Sequence, residues 1–333
     1  VPIEPEATNA VGRADRRIIY SVLGAFAVSR AAVIVLLIIG SQITFVTKDY
    51  GTIWRTEVSL VGGRVWPEMR RMMMVGDAWF YRQIAATGYE PPTPDAKPKN
   101  TWAFFPGYPL LLKALGGTSD NTFWILAVLV SNAALLGALF AVAAAARAMG
   151  TSDDDVERAV WYIALFPTSY FFSLPMTESL FLLLSAAAFL AAARQRWPVA
   201  GLLGGLAAGT RVIGICLLPA LLLLPLQRRE RLSRQQLWLL AIPLSLLAFI
   251  GYLYIHTGDP LAFVHAQTLW GRGSTGRFAM AFPNSGMTIS KPWNFVALNA
   301  AAAVLMIAAG IWFLARRQWS YAAYTLLSAA VPL

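Results

Sequence analysis

The chain has one cysteine, Cys216, and two histidines, His256 and His265, in 333 residues. A single thiol inside an apolar run excludes a disulfide framework and a cysteine-built zinc site, and two imidazoles leave little for a histidine metal cage. Charge is also scarce. Only 13% of residues are Asp, Glu, Lys or Arg, 57% are hydrophobic, and mean hydropathy is +0.56. Soluble domains carry about 25% charged residues, so the composition excludes an ordinary globule and a disordered chain alike. No Walker loop, no GxGxxG after a strand, no HExxH and no GxSxG occurs, which leaves ATP-driven, dinucleotide and simple hydrolase chemistries without support. What is present describes an all-α polytopic membrane protein.

The net charge is +10, from 27 basic and 17 acidic residues. The arginines sit in short clusters between apolar runs, which is a topology signal and not a nucleic-acid stripe; no nucleic-acid partner is expected. The sequence starts at Val1, and its initiator end is expected to be missing. Residues 1–17 are polar with no cleavage site after a short apolar core, so the first span reads as an uncleaved anchor.

A membrane helix needs about 20 apolar residues. Runs at 17–40, 121–147, 159–175, 178–194, 236–255, 296–315 and 318–333 qualify or nearly do. The last stops short of a comfortable span, so further C-terminal helices are expected beyond Leu333. Arginines in short loops face the cytoplasm. Assigning Arg13/Arg16/Arg17, Arg147/Arg158, Arg194/Arg196, Arg228–Arg234 and Arg316/Arg317 to that side makes every span alternate and puts the N-terminus in the cytoplasm. All five lysines then fall outside. Residues 198–226 have cytoplasmic arginines at both ends and must cross an even number of times, yet cannot make two full spans. Gly209-Thr210-Arg211 divides them, predicting two short helices around a break that lines a cavity; one long tilted helix is the other reading.

The chain, 1–333, is expected to form one transmembrane domain with two large outside loops, at about 41–120 and 256–295. Both are rich in aromatics, Gly and Pro. Loops this long in a compact protein are functional or disordered, and this composition points to the former. The densest passage is 76–113. Positions 78–86 suit a short amphipathic interfacial helix, with Asp77 as its N-cap. Asp77 is either merely that cap or a carboxylate poised to take a proton from a hydroxyl. Tyr89, Trp102 and Phe104 offer stacking faces for a sugar, or belong to the interfacial aromatic belt.

Asp77-Ala-Trp-Phe-Tyr with Ile84-Ala85 and Gly88-Tyr89, then Ala103-Phe104-Phe105-Pro106-Gly107-Tyr108-Pro109-Leu110, resembles the PIG-V family. These are GPI mannosyltransferase II and its bacterial relatives, in the GT-C superfamily. Phe166-Pro167 through Thr177-Glu178-Ser179-Leu180-Phe181, Gly201-Leu202-Leu203 through Thr210-Arg211, and Thr257-Gly258-Asp259-Pro260 through Trp270-Gly271-Arg272 resemble later signatures in order. Together they cover roughly residues 25–275. The family usually has Trp directly before the aspartate, where this chain has Gly76.

The resemblance implies a GT-C-like helix bundle whose large non-cytoplasmic loops carry short interfacial helices. It also implies transfer of a sugar, usually mannose, from a polyprenyl-phosphate donor at the non-cytoplasmic face, with Asp77 matching the proposed catalytic base. The departing phosphate asks for a cation. Arg272, Arg211 and Arg30 compete for contact with the donor phosphate or lipid. Arg272 is favoured for the phosphate and Arg211 as cavity support, while structural pairing is the alternative for Arg30 and Arg211 and a headgroup-facing rim position for Arg272. Glu178 is a helix-start acid or a substrate contact. His265, Gln267 and Trp270 are near enough in sequence to Arg272 to share a substrate pocket. Asp259 reads as a turn residue, and Asp153-Asp154-Asp155 as capping acids.

No metal and no cofactor are expected, since a carboxylate base with a phosphate leaving group demands neither. The expected setting is a prokaryotic plasma membrane, with the lipid-linked sugar donor and membrane lipid as partners and the acceptor open among glycolipid, glycan and protein. A multi-pass transporter or flippase with a broken-helix substrate site is the rival reading, and a non-catalytic member of the fold is a third.

Overall fold

The computed structural model describes residues 5–49, 54–60, 65–93, 97–270 and 295–330. Their regular structure is helical apart from one antiparallel pair of strands, and they group into two compact units. The first comprises Val1–Ala86 with Pro109–Leu183, the second Thr87–Tyr108 with Leu184–Leu333.

In the first unit, α1 (Pro5–Ser41) leads into strands β1 (Ile43–Asp49) and β2 (Trp54–Leu60), paired antiparallel with Ile43 opposite Leu60 and Thr47 opposite Thr56. Two short helices follow, α2 (Val65–Met73) and α3 (Ala78–Thr87). Beyond the segment held by the second unit, α4 (Gly107–Ala114) precedes α5 (Asp120–Ala148) and α6 (Asp153–Leu165). Three apolar stripes at helical spacing form the core: Ile18, Val22 and Ala25 of α1, Leu135, Leu139 and Ala143 of α5, and Val156, Val160 and Ala164 of α6.

Ion pairs fix which helix ends share a side. Arg17 meets Asp154 at 2.9 Å and Glu157 at 2.6 Å, and Arg147 meets Asp15 at 2.6 Å and Asp153 at 2.9 Å. Exposed pairs of this kind contribute little stability. They do show that the first two arginine groups lie together. The far end of α5 begins with a capping box between Ser119 and Thr122, with Asp120 in the first turn; Arg147 occupies the last, so both ends complement the helix dipole.

Among the described residues, three helical stretches are long and apolar enough to cross a membrane: Asp15–Ser41, Asp120–Ala148 and Arg234–Thr257. The expected span at 159–175 is not one helix. α6 stops at Leu165, Phe166 turns extended at ψ 139°, and a 3-10 turn occupies Ser169–Ser173. The cause is Pro167, whose ring disfavours helical backbone in the residue before it. The chain still traverses the first unit. α6 rises about 20 Å and the 3-10 turn about 10 Å, leading from the Arg147 end to Thr177, which lies beside α3.

Helix α7 (Glu178–Ala193) belongs to both units by sequence. In the second, α8 (Trp197–Thr210) ends at Arg211, a 3-10 turn covers Val212–Cys216, and α9 (Leu217–Gln227) follows. The helix break therefore falls at the expected place. A 3-10 turn at Arg234–Leu240 runs into α10 (Ala241–Thr257), then α11 (Ala262–His265) and a 3-10 turn at Ala266–Trp270. α12 (Phe295–Ala315) and α13 (Trp319–Ala330) close the chain. Small residues let α8 approach closely: a Cβ on Gly201 would stand 2.1 Å from the Trp238 carbonyl oxygen, and one on Gly205 2.9 Å from that of Ala241.

Candidate functional site

In the first unit the candidate base opens α3. The Asp77 carbonyl accepts from the backbone N–H of Phe80 and of Tyr81, both at 3.1 Å, which is the N-cap position, and the residue is exposed. Gly76 before it has φ +57°, a left-handed backbone that costs a side-chain-bearing residue about 1–2 kcal/mol. In this chain the turn itself therefore favours glycine at position 76.

The buried face of α3 comprises Ala78, Tyr81, Ile84 and Ala85. The Tyr81 hydroxyl lies 3.5 Å from the hydroxyl of Thr177, which is fully buried and directly precedes Glu178. On the outer face Arg82 pairs with Asp120, while Arg70 of α2 donates to the Asn121 side chain at 3.0 Å and the Asp120 carbonyl at 3.3 Å. These contacts dock the Asp77 turn at the Asp120 end of α5, opposite the Arg17–Arg147 end.

Arg30 is buried in α1. Its Nη1 donates to the Ser173 hydroxyl at 2.7 Å and the Ser169 carbonyl at 3.2 Å, its Nη2 to the Ser169 hydroxyl at 3.3 Å, and its Nε to Ser29 at 3.4 Å. Ser173 in turn donates to Asn132 at 2.9 Å. Among the described residues no carboxylate pairs with Arg30. The guanidinium instead ties α1 to the 3-10 turn that leads to Thr177, which is structural pairing.

In the second unit, residues 87–108 fold against the end of α10. Glu90 closes the loop: its Oε2 accepts from the Thr101 N–H at 3.2 Å and hydroxyl at 3.1 Å. Its carbonyl accepts from Trp102 Nε1 at 2.8 Å and His256 Nε2 at 3.2 Å. Tyr89 donates to the Phe104 carbonyl at 2.7 Å and packs its ring on Phe249 and Tyr252. Trp102 and Phe104 are 4% and 9% exposed, so protein covers most of their surface, and Tyr89 is only half-buried. Gly107 touches the helix break. A Cβ there would stand 2.8 Å from both the Gly209 carbonyl oxygen and the Thr210 hydroxyl.

Arg211 sits at the break with extended backbone, φ −150° and ψ 140°, and is half-buried. Beyond α10, Gly258 takes φ +77° to end the helix. Asp259 then accepts from the Leu261 N–H at 2.9 Å, as a turn residue does, and from His265 Nδ1 at 2.6 Å. His265 is exposed and Gln267 half-buried. The Trp270 side chain and all of Arg272 lie outside the described residues.

The structure thus sets Tyr81, on the helix that Asp77 opens, against Thr177, the residue before Glu178, in the first unit, and gathers Tyr89, Trp102, Phe104 and His265 around the α10 end in the second. Tyr81, Thr177 and Glu90 emerge as organising residues that sequence reasoning did not single out; a lone acid beside Gly88-Tyr89 was the available signal for Glu90. Among the described residues no three His, Cys, Asp or Glu side chains converge to hold a metal ion. Comparison of the chain with protein-family models, characterised proteins and solved structures returns no match.

Proposed function

We propose that the protein is an inverting membrane glycosyltransferase that moves a mannosyl residue from a polyprenyl-phosphate donor to a glycolipid, glycan or protein acceptor at the non-cytoplasmic face. The observation that carries this reading is the Asp77 turn: an exposed carboxylate on a docked helix, at the end of the first unit opposite its arginine-bearing end. The ordered motifs resembling the PIG-V family support the donor class.

In this reading Asp77 takes the proton from the acceptor hydroxyl as that oxygen attacks the anomeric carbon. The bond from the anomeric carbon to the phosphate oxygen breaks, and the polyprenyl phosphate leaves with the electron pair. One displacement inverts the centre, so a β-linked donor gives an α-product. Arg272 is the cation proposed to stabilise the departing phosphate. The test is reconstitution with polyprenyl-phosphate-mannose and candidate acceptors, following release of polyprenyl phosphate; glycosylated acceptor and released lipid phosphate in equal amounts are expected.

A transporter is the second reading, favoured by the helix break at Arg211. Substrate uptake into proteoliposomes with no turnover of the lipid-linked sugar is the result that would replace the first reading by this one.

A further inference from the structure

We propose that the arginine-rich end of the second unit binds anionic phospholipid headgroups of the adjoining leaflet. The inference rests on the membrane-spanning character of the chain and is independent of glycosyl transfer.

From Arg194 to Leu333 the sequence contains two acids, Glu230 and Asp259. Eight arginines of the same stretch fall in three connections: after α7, between α9 and α10, and between α12 and α13. The fold joins these connections. Arg228 Nη1 donates to the Ala193 carbonyl at the end of α7 at 2.8 Å, and the Ser320 N–H of α13 donates to Gln227 at the end of α9 at 2.9 Å. Asp259 lies past the other end of the 24-residue helical stretch Arg234–Thr257, too far to neutralise anything here.

Glu230 takes Arg228 at 3.0 Å, and Arg316 lies over the Trp312 ring at 5.0 Å. Arg194, Arg196, Arg229, Arg231, Arg234 and Arg317 are exposed, and among the described residues no carboxylate pairs with them. Helix dipoles do not absorb this charge. The C-termini of α7, α9 and α12 meet the N-termini of α8 and α13 at this end, each worth roughly half a charge and of opposite sign, so they largely cancel.

The three connections share one build. Gln195, Arg229 and Arg317 have φ of 56°, 57° and 59°. The next N–H closes on the carbonyl five residues back: Arg196 to Ala191 at 2.8 Å, Glu230 to Pro225 at 2.8 Å, and Gln318 to Phe313 at 2.9 Å. Glycine is the usual residue at this left-handed position. Two of the three turns place arginine there instead, accepting a backbone that glycine would adopt without cost.

The second observation identifies the occupant as a lipid surface. Trp238, Trp312 and Trp319 are about half exposed beside these arginines, and Leu232 and Leu237 are each more than 60% exposed. Tryptophan with arginine and bare leucine marks the headgroup level of a bilayer. A guanidinium offers paired donors to a phosphodiester, and each one near an anionic surface is worth about a factor of five in partitioning.

The test uses the full chain in vesicles of phosphatidylcholine with or without phosphatidylglycerol, followed by detergent extraction and mass spectrometry of the lipid retained. Wild type is expected to retain phosphatidylglycerol over phosphatidylcholine and to melt higher with it, the increment falling as salt rises. The R196Q/R229Q/R317Q variant is expected to lose that preference by about tenfold or more, the corresponding lysine variant to keep most of it, and K99Q/K113Q to keep all of it. Equal retention of the two lipids by wild type would overturn the proposal, as would an undiminished preference in the glutamine variant. The wild-type comparison decides the matter even where a variant does not fold. Loss of transfer activity has no bearing on it.

Discussion

Tyr81 and Thr177 meet hydroxyl to hydroxyl at 3.5 Å, one turn after Asp77 and one residue before Glu178. The contact links the first loop to the start of α7, so the position of the Asp77 turn depends on how α3 is seated. Two kinds of contact seat it, and their expected magnitudes differ. The Arg82–Asp120 pair is partly solvent-exposed and is worth at most about 1 kcal/mol. Ile84 is almost fully buried, and its truncation removes packing worth about 2–5 kcal/mol. Ile84→Ala is therefore expected to lower the melting temperature well beyond Arg82→Ala in detergent-solubilised protein. Equal losses would mean that the ion pair, and not the apolar face, holds the helix.

Arg30 serves acceptors in two directions at once, the Ser169 carbonyl and hydroxyl and the Ser173 hydroxyl. Lysine keeps the charge but has no planar fork to span them. Arg30→Lys is expected to cost about 1–3 kcal/mol, the price of a buried acceptor left unmet. Thermal unfolding at two protein concentrations checks this.

Glycines at the α8 contacts should respond with opposite sign to one outside them. Gly107→Ala puts a methyl 2.8 Å from two oxygens at the helix break, and an overpacking penalty of about 1–3 kcal/mol is expected. In α10, a methyl on Gly251 meets nothing within 4 Å, so Gly251→Ala is expected to stabilise by up to about 1 kcal/mol through helix propensity alone. Melting curves of the two variants, read against wild type, give the comparison.

Much of the helical frame was legible because long apolar runs have few other fates: α1, α5 and the Arg234–Thr257 stretch lie where hydropathy puts them. The break at Arg211 was legible because glycine, threonine and arginine interrupt an otherwise apolar run. Residues 159–175 misled because an apolar count is blind to Pro167, and because Ser169 and Ser173 serve a guanidinium 139 and 143 residues away. The strand pair Ile43–Asp49 and Trp54–Leu60 is not anticipated, its short alternation being lost among aromatic loop residues. Asp77 at a helix start could be read from local pattern. Its neighbourhood could not, since Tyr81 and Thr177 are 96 residues apart and nothing local couples them.

The most direct test of the central claim separates the two roles open to Asp77. Asparagine caps a helix about as well as aspartate but cannot accept the acceptor's proton. Asp77→Asn is expected to melt with wild type, within about 0.5 kcal/mol, and to lose transfer from purified polyprenyl-phosphate-mannose by about 100-fold or more. Transfer at the wild-type rate by a well-folded Asp77→Asn protein would contradict the account, leaving Asp77 a helix cap.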